Sequence, residues 1–286
     1  MEFKISRVRH PKEKFYGSLM LVIGSLIWLI AVGAIVAAVM LAPEGIAIIF
    51  VVAFYIALLW FMSFVARALT RAYMIGHYVM VSEQQFPQLH KMVQDGARAL
   101  GLKEAPQAFV YNSSGVMNAM ALTLVGRTRY IWLTSQLIDA DNEEQVKFVI
   151  GHELGHHVAG HLDTVPSLLH LPAYIVPFLG QAYSRGRELT CDRVGLVVSR
   201  NIQASRTALQ MLACGSAKLN AQMNPTAFEA QERMVPSIAG FFLHIFSFYP
   251  RLTRRVEAIS QFAQSANQSP APQVREQAGR VEPQMA

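Results

Sequence analysis

The chain has 286 residues, 52% of them apolar and only 15% charged, with a formal net charge of +6. Soluble domains carry about 25% charged residues, so this composition favours a membrane protein. The basic residues sit in an N-terminal arm and short clusters, which suits an anionic membrane surface and excludes a nucleic-acid partner. No phosphate-binding glycine loop and no internal repeat is present.

The arm, residues 1–17, carries Lys4, Arg7, Arg9, Lys12 and Lys14. Residues 18–42 and 46–66 follow without a charge, each long enough to cross a bilayer. Only Pro43-Glu44-Gly45 separates them, so the stretch 18–72 reads as a transmembrane helical hairpin anchored in the lipid bilayer. The first span is too long for the core of a signal peptide and lacks a small-residue cleavage site, so it should not be cleaved. Trp28 and Trp60 fall mid-span and receive no anchoring role. Basic residues flank both outer ends of the hairpin, with Arg67 and Arg71 after the second span, while the connecting loop holds Glu44. Positive residues stay in the cytoplasm, which places both ends, and whatever follows, on the cytoplasmic side of the inner membrane. Two cysteines, Cys191 and Cys214, fit that reducing compartment.

Further along, Asn112-Ser113-Ser114-Gly115 reads as a turn. Residues 142–151 then read as an amphipathic helix, capped by Asp141 or Asn142 with acidic residues in its first turn. That helix runs into His152-Glu153-Leu154-Gly155-His156. Residues four apart share a helix face, so both imidazoles can reach one metal ion, with Glu153 beside them as a base for a metal-bound water. The expected cofactor is one Zn2+ per chain, whose open fourth position holds the attacking water.

Metzincin spacing fails at Ala159 and Leu162. Downstream, Glu188 and Asp192 stand four apart, giving a third zinc ligand and a carboxylate one turn on that can orient a ligand imidazole. Cys191, on another face of that helix, reads as packing. His157 and His161 lie off the ligand spacing and read as polar packing or surface residues, with His161 able to support a ligand from behind. His77, His90, His170 and His244 have no identifiable partner.

These motifs resemble the membrane-associated gluzincin peptidases, family 48 of the metallopeptidases. That family includes the heat-shock protease HtpX, the zinc-type CAAX prenyl protease and the mitochondrial protease Oma. The resemblance covers about 82–259. It includes Phe86-Pro87-Gln88-Leu89 opening a helix and Gly101-Leu102 closing it, then Asn118-Ala119-Met120-Ala121, the zinc motif with His161, and Glu188 to Asp192. It closes with Tyr249-Pro250-Arg251-Leu252-Thr253-Arg254-Arg255-Val256. The chain departs from the family pattern at Tyr249, where His is usual, and at Thr123, where Gly is usual.

The resemblance implies an edge strand carrying Asn118, Ala119 and Met120 beside the zinc, able to bind an extended polypeptide as an added strand. It also implies that Arg255 lies near the site, and it leaves Tyr249 as a hydrogen-bond donor to an oxyanion or as packing. The fold expected is mainly α with a small β-sheet at about 107–134, the peptidase domain covering 73–260. The activity implied is a zinc endopeptidase cleaving unfolded or membrane-derived proteins in quality control. A prenyl-protein endopeptidase and a non-catalytic scaffold with a vestigial zinc site remain open.

Three segments complete the reading. Residues 164–184 are uncharged but hold Pro166, Pro172, Pro177 and Gly180, too much proline for a straight span. They read as a membrane-dipping element and a buried part of the soluble domain together. Residues 236–249 are apolar, too short to span, and suited to lie against the membrane. Residues 261–286 are rich in Gln, Ala, Ser and Pro and are expected to be disordered.

Overall fold

The structure, a computed structural model, describes residues 3–41, 45–124 and 128–268. It is mostly helical with one four-stranded sheet, in agreement with the expected mainly α fold. The chain opens with α1 (Ile5–Val8), α2 (Pro11–Leu41) and α3 (Gly45–His77). α2 and α3 are each long and apolar enough to cross a membrane, and their side chains are largely bare, as with Leu29 and Leu59. Both run past the expected span limits, because α2 takes in the end of the basic arm and α3 continues beyond Arg71. The connection at 42–44 lies outside the described residues.

The arm is built into the main body of the protein, which its charge pattern conceals. Phe3, Ile5 and Val8 join the main hydrophobic cluster, and Arg193 donates to the Val8 carbonyl at 3.3 Å. Trp28, given no anchoring role by its mid-span position, has an internal partner. Its indole N–H donates to the Leu168 carbonyl at 2.9 Å, tying the first long helix to a later segment.

β1 (Val79–Met80) and α4 (Pro87–Ala99) follow, then β2 (Gln107–Tyr111), β3 (Ala119–Thr123) and β4 (Arg129–Thr134). The sheet order is β1-β2-β4-β3. β2 and β4 run parallel, and β3 pairs antiparallel with β4, Met120 facing Trp132. β3 is therefore an edge, with no second partner among the described residues. Its free side carries unpaired backbone groups, the template an extended peptide needs.

α5 (Ser135–Ala140) leads into α6 (Glu143–Val158), then α7 (Thr164–His170), a 3₁₀ turn (Leu171–Ile175) and α8 (Leu179–Ser199). Asn142 caps α6 through a reciprocal pair with Gln145, Asn142 Oδ1 accepting from the Gln145 N–H at 3.0 Å. The proline-dense segment is thus a short helix and a turn, and its last residues already belong to α8. α7 and the turn pack on α2, leaving Val165, Leu168, Leu171 and Ile175 exposed, while Ala173, Leu179 and Tyr183 of the same segment are buried around Met20.

α6 and α8 cross face to face on small residues. A Cβ on Gly151 would stand 2.9 Å from the Gly195 Cα, and one on Gly195 would stand 2.8 Å from the Phe148 carbonyl. Both neighbours are backbone and cannot yield. Gly195→Ala is therefore expected to destabilise the protein by about 1–3 kcal/mol through overpacking. An unchanged unfolding temperature in detergent would refute that close approach.

α9 (Ile202–Cys214), α10 (Ala217–Asn220), α11 (Pro225–Ala230) and a 3₁₀ turn (Gln231–Met234) lead to α12 (Ser237–Phe246) and α13 (Leu252–Gln268). Residues 261–268, expected to belong to the disordered tail, continue α13, where Phe262 packs on the core and under Arg193. The remainder of the tail lies outside the described residues. α12 shows Ile238, Phe241, Leu243 and Phe246 on its surface, and Phe246 meets Phe178 edge to face at 5.1 Å. The apolar surface of α12 is thereby continuous with that of the α7 segment.

Candidate metal centre

α6 supplies His152, Glu153 and His156, the two histidines facing α8. α8 supplies Glu188 and Asp192, one turn apart. Glu188 Oε2 lies 3.4 Å from His152 Nε2, and its Oε1 lies 3.7 Å from His156 Nε2. Tetrahedral ligands about 2.1 Å from a zinc ion lie about 3.4 Å apart. Both contacts to Glu188 are thus at the spacing of ligands on one metal ion.

The remaining nitrogen of each histidine is also engaged. His152 Nδ1 stands 3.0 Å from Asp192 Oδ1. Asp192 is gripped in turn by Arg255 of α13, Nε at 2.8 Å and Nη2 at 2.6 Å, and the same Nη2 is 3.9 Å from Glu188. Burial opposes ionisation of Asp192 and Glu188, yet both are held down at about 2, Asp192 chiefly by the Arg255 charge and Glu188 by hydrogen bonding to His152. Arg255 is 7% exposed, so this is a buried charge network rather than a surface pair.

A second donor set contends for the metal. Cys191 Sγ comes within 4.8 Å of ring nitrogens of both His152 and His156. It lies on the Nδ1 side, 3.6 Å from His161 Nδ1, which itself touches His156 Nδ1 at 3.1 Å. Burial pushes the Cys191 thiol well up. The contacts with both Nε2 atoms favour Glu188.

Glu153 is 6% exposed, and burial pushes its carboxyl up to about 7. The Ala121 backbone on β3 stands beside it and pulls the other way. A cavity of 440 Å³ opens beside these groups, lined by His152, Glu153, His156, Glu188, Tyr249 and Arg255. Asn118, Ala119, Met120 and Ala121 form its strand side. Asn118 itself precedes β3, its carbonyl accepting from the Thr134 N–H at 3.1 Å. The structure thus brings together every residue singled out in the sequence, with Asp192 behind His152 rather than in the cavity. Tyr249 lines the cavity at its rim and is 64% exposed.

Residues 83–171 match the profile of Peptidase family M48. The chain is 34% identical over 172 residues to the plastoglobule-localized metallopeptidase 48 of Arabidopsis thaliana, covering 56% of this chain and 49% of that protein. Over about a third of its length, then, the chain is similar to Peptidase family M48. It is also 36% identical over 76 residues to the HtpX homolog protease of Halobacterium salinarum, covering 27% of this chain and 25% of that one. The chain spans about half the length of the first curated relative and a quarter of the second. The crystal structure of S. mikatae Ste24p superposes with a TM-score of 0.51 at 15% identity, over 85% of this chain and 66% of that one. That likeness concerns the fold alone. Members of the M48 family are metallopeptidases, and the M48 match here includes α6 with its two histidines and glutamate.

Sequence reasoning left two parts of the M48 site unread. Leu137, Phe148, Val149, Leu209 and Leu212 form an apolar wall of the cavity, contributed partly by α9. Nothing separates such residues in sequence from ordinary core positions. The other part is Glu13, buried beneath His161 at 3.0 Å and hidden in the sequence among the lysines of the arm.

Proposed function

We propose that the protein is a membrane-anchored zinc endopeptidase, with His152, His156 and Glu188 as zinc ligands and Glu153 as general base. The observation that carries this reading is the approach of both Nε2 atoms to the two oxygens of one carboxylate, at ligand spacing. Zinc bound there supplies a Lewis acid for the scissile carbonyl and acidifies the attacking water. Glu153 takes the water's proton and passes it to the leaving amine, a role favoured by a carboxyl poised near neutrality. Asp192 holds the His152 ring, and Arg255 holds Asp192 and offsets charge at Glu188. The edge of β3 binds the substrate as an added strand through Asn118, Ala119 and Met120, which implies extended, unfolded polypeptide. Tyr249, at the rim, closes over the substrate rather than over the metal.

The same reading covers location. Lys4, Arg7, Arg9, Lys12 and Lys14 before the apolar span of α2, with Arg67 and Arg71 toward the end of α3, favour a cytoplasmic peptidase domain and a hairpin in the inner membrane. α7 packs on α2 at Gly24, and Trp28 bonds to it. Those positions lie roughly 9–15 Å along the helix from Ser18, where the apolar span opens. α7 and its turn therefore dip into the apolar layer, beside the apolar face of α12, and deliver membrane-derived segments to the cleft. Quality control of membrane proteins is the role that fits.

Full-length protein purified in detergent is expected to cut unfolded casein at internal bonds, to stop with a zinc chelator, and to recover with added zinc. Chelator-insensitive cleavage would sink the assignment. The ligand set has its own test by metal analysis. Glu188→Gln should lose stoichiometric zinc, while Cys191→Ala should keep it. The reverse result would hand the third position to the thiol.

A further inference from the structure

The start of α2 reaches the back of the candidate metal centre. Glu13 is 1% exposed although it stands in a lysine-rich stretch, and its Oε1 lies 3.0 Å from His161 Nε2. His161 Nδ1 lies 3.1 Å from His156 Nδ1. α8 admits this approach through Gly186, where a Cβ would stand 2.7 Å from the Glu13 backbone nitrogen. Arg9 pairs with Glu13 and donates to the Ala159 carbonyl at 2.7 Å, just past the end of α6. His10 N–H donates to the Thr190 hydroxyl at 2.9 Å, between Glu188 and Asp192. The N-terminal arm thus grips both helices that carry the site.

The hydrogen bonds of this chain run in one direction. A carboxylate only accepts, so His161 donates from Nε2 to Glu13. A neutral His161 then accepts at Nδ1, and His156 donates its Nδ1–H to it. That assignment leaves His156 Nε2 as a lone pair, the atom that faces Glu188 at 3.7 Å. The opposite tautomer of His161 would set two N–H groups against each other and leave the buried Glu13 without a donor from it. Cys191, 3.6 Å from His161 Nδ1, is a weak donor to the same atom and does not reverse the order. Metal-bound histidines usually give their second nitrogen to a carboxylate. His152 does so directly through Asp192, and His156 does so at one remove.

We propose that Glu13 is a positioning residue of the metal centre, acting through His161 to hold His156 in the tautomer and orientation that present Nε2 to the metal. The inference rests on the zinc reading above. It makes the first membrane helix part of the site, so the body beginning after the hairpin is not a complete peptidase.

The test uses the full-length protein in detergent and reads zinc affinity by competition with a chromogenic chelator, with the unfolding temperature of the metal-free form as a check on folding. Glu13→Met, similar in volume but uncharged and only a weak acceptor, is expected to weaken zinc binding about 10–100-fold. Glu13→Gln, whose amide oxygen still accepts from His161, is expected to restore most of it. In the double variant with His161→Phe, Glu13→Met should add nothing to the loss caused by His161→Phe alone. Folded Glu13→Met with wild-type affinity overturns the proposal, as does an additive loss in the double variant. Should Glu13→Met not fold, His161→Phe alone decides, and wild-type affinity there overturns it equally. Wild-type protein that holds no zinc overturns the zinc reading instead, which keeps the two failures apart.

Discussion

Glu153→Gln is expected to abolish cleavage of unfolded casein, lowering the rate at least about 10²-fold while zinc content stays at wild-type level. The amide keeps the shape of the side chain and its place against the Ala121 backbone but cannot take a proton. Glu153 is buried beside His152, and burial pushes its carboxyl up to about 7. A carboxyl in the ordinary range would be a weaker base, and one pushed far higher would stay protonated. Glu153 also lies off the Nε2–Glu188 contacts, so its loss should leave the donor set intact. Equal cleavage by variant and wild type would mean that the base is elsewhere. Loss of zinc together with activity would mean that Glu153 holds the metal.

The second large effect concerns Arg255. Arg255→Leu removes a cation that makes two hydrogen bonds to Asp192 and faces Glu188, all within the protein interior. Two buried carboxylates are then left with one histidine between them. Breaking one side of a buried ion pair costs about 3–5 kcal/mol, so the metal-free variant is expected to unfold at a markedly lower temperature. The effect carries a pH signature. Asp192 is held at about 2 in the folded protein, against about 3.9 for a free aspartate. Its contribution is fully present above about 4 and disappears as pH falls toward 2. The gap in unfolding temperature between wild type and variant should therefore be constant near neutrality and narrow below pH 4. A gap that persists unchanged at low pH would show that Arg255 acts by packing alone.

The local chemistry of the site was legible in sequence because helical spacing is a local rule. His152, Glu153 and His156 share a helix face whatever surrounds them, and Glu188 and Asp192 do likewise four residues apart. The two apolar stretches were legible for a similar reason, since a membrane span depends on composition and length. The strands around residues 107–134 were expected, though β1 is too short, at Val79–Met80, to leave a signal.

What the sequence by itself determined, then, is a mainly α chain with two membrane-length helices and two helical motifs suited to one metal. Tertiary structure decided the rest. It set Glu188 rather than Cys191 opposite the Nε2 atoms, because the packing of α6 on α8 through Gly151 and Gly195 fixes which face of α8 looks into the cleft. It made Trp28 a link to α7 and turned the apolar residues of the arm into core. It also carried Glu13 across 148 residues of sequence to His161. Such contacts depend on the path of the whole chain, and no spacing rule encodes a hydrogen bond between residues so far apart.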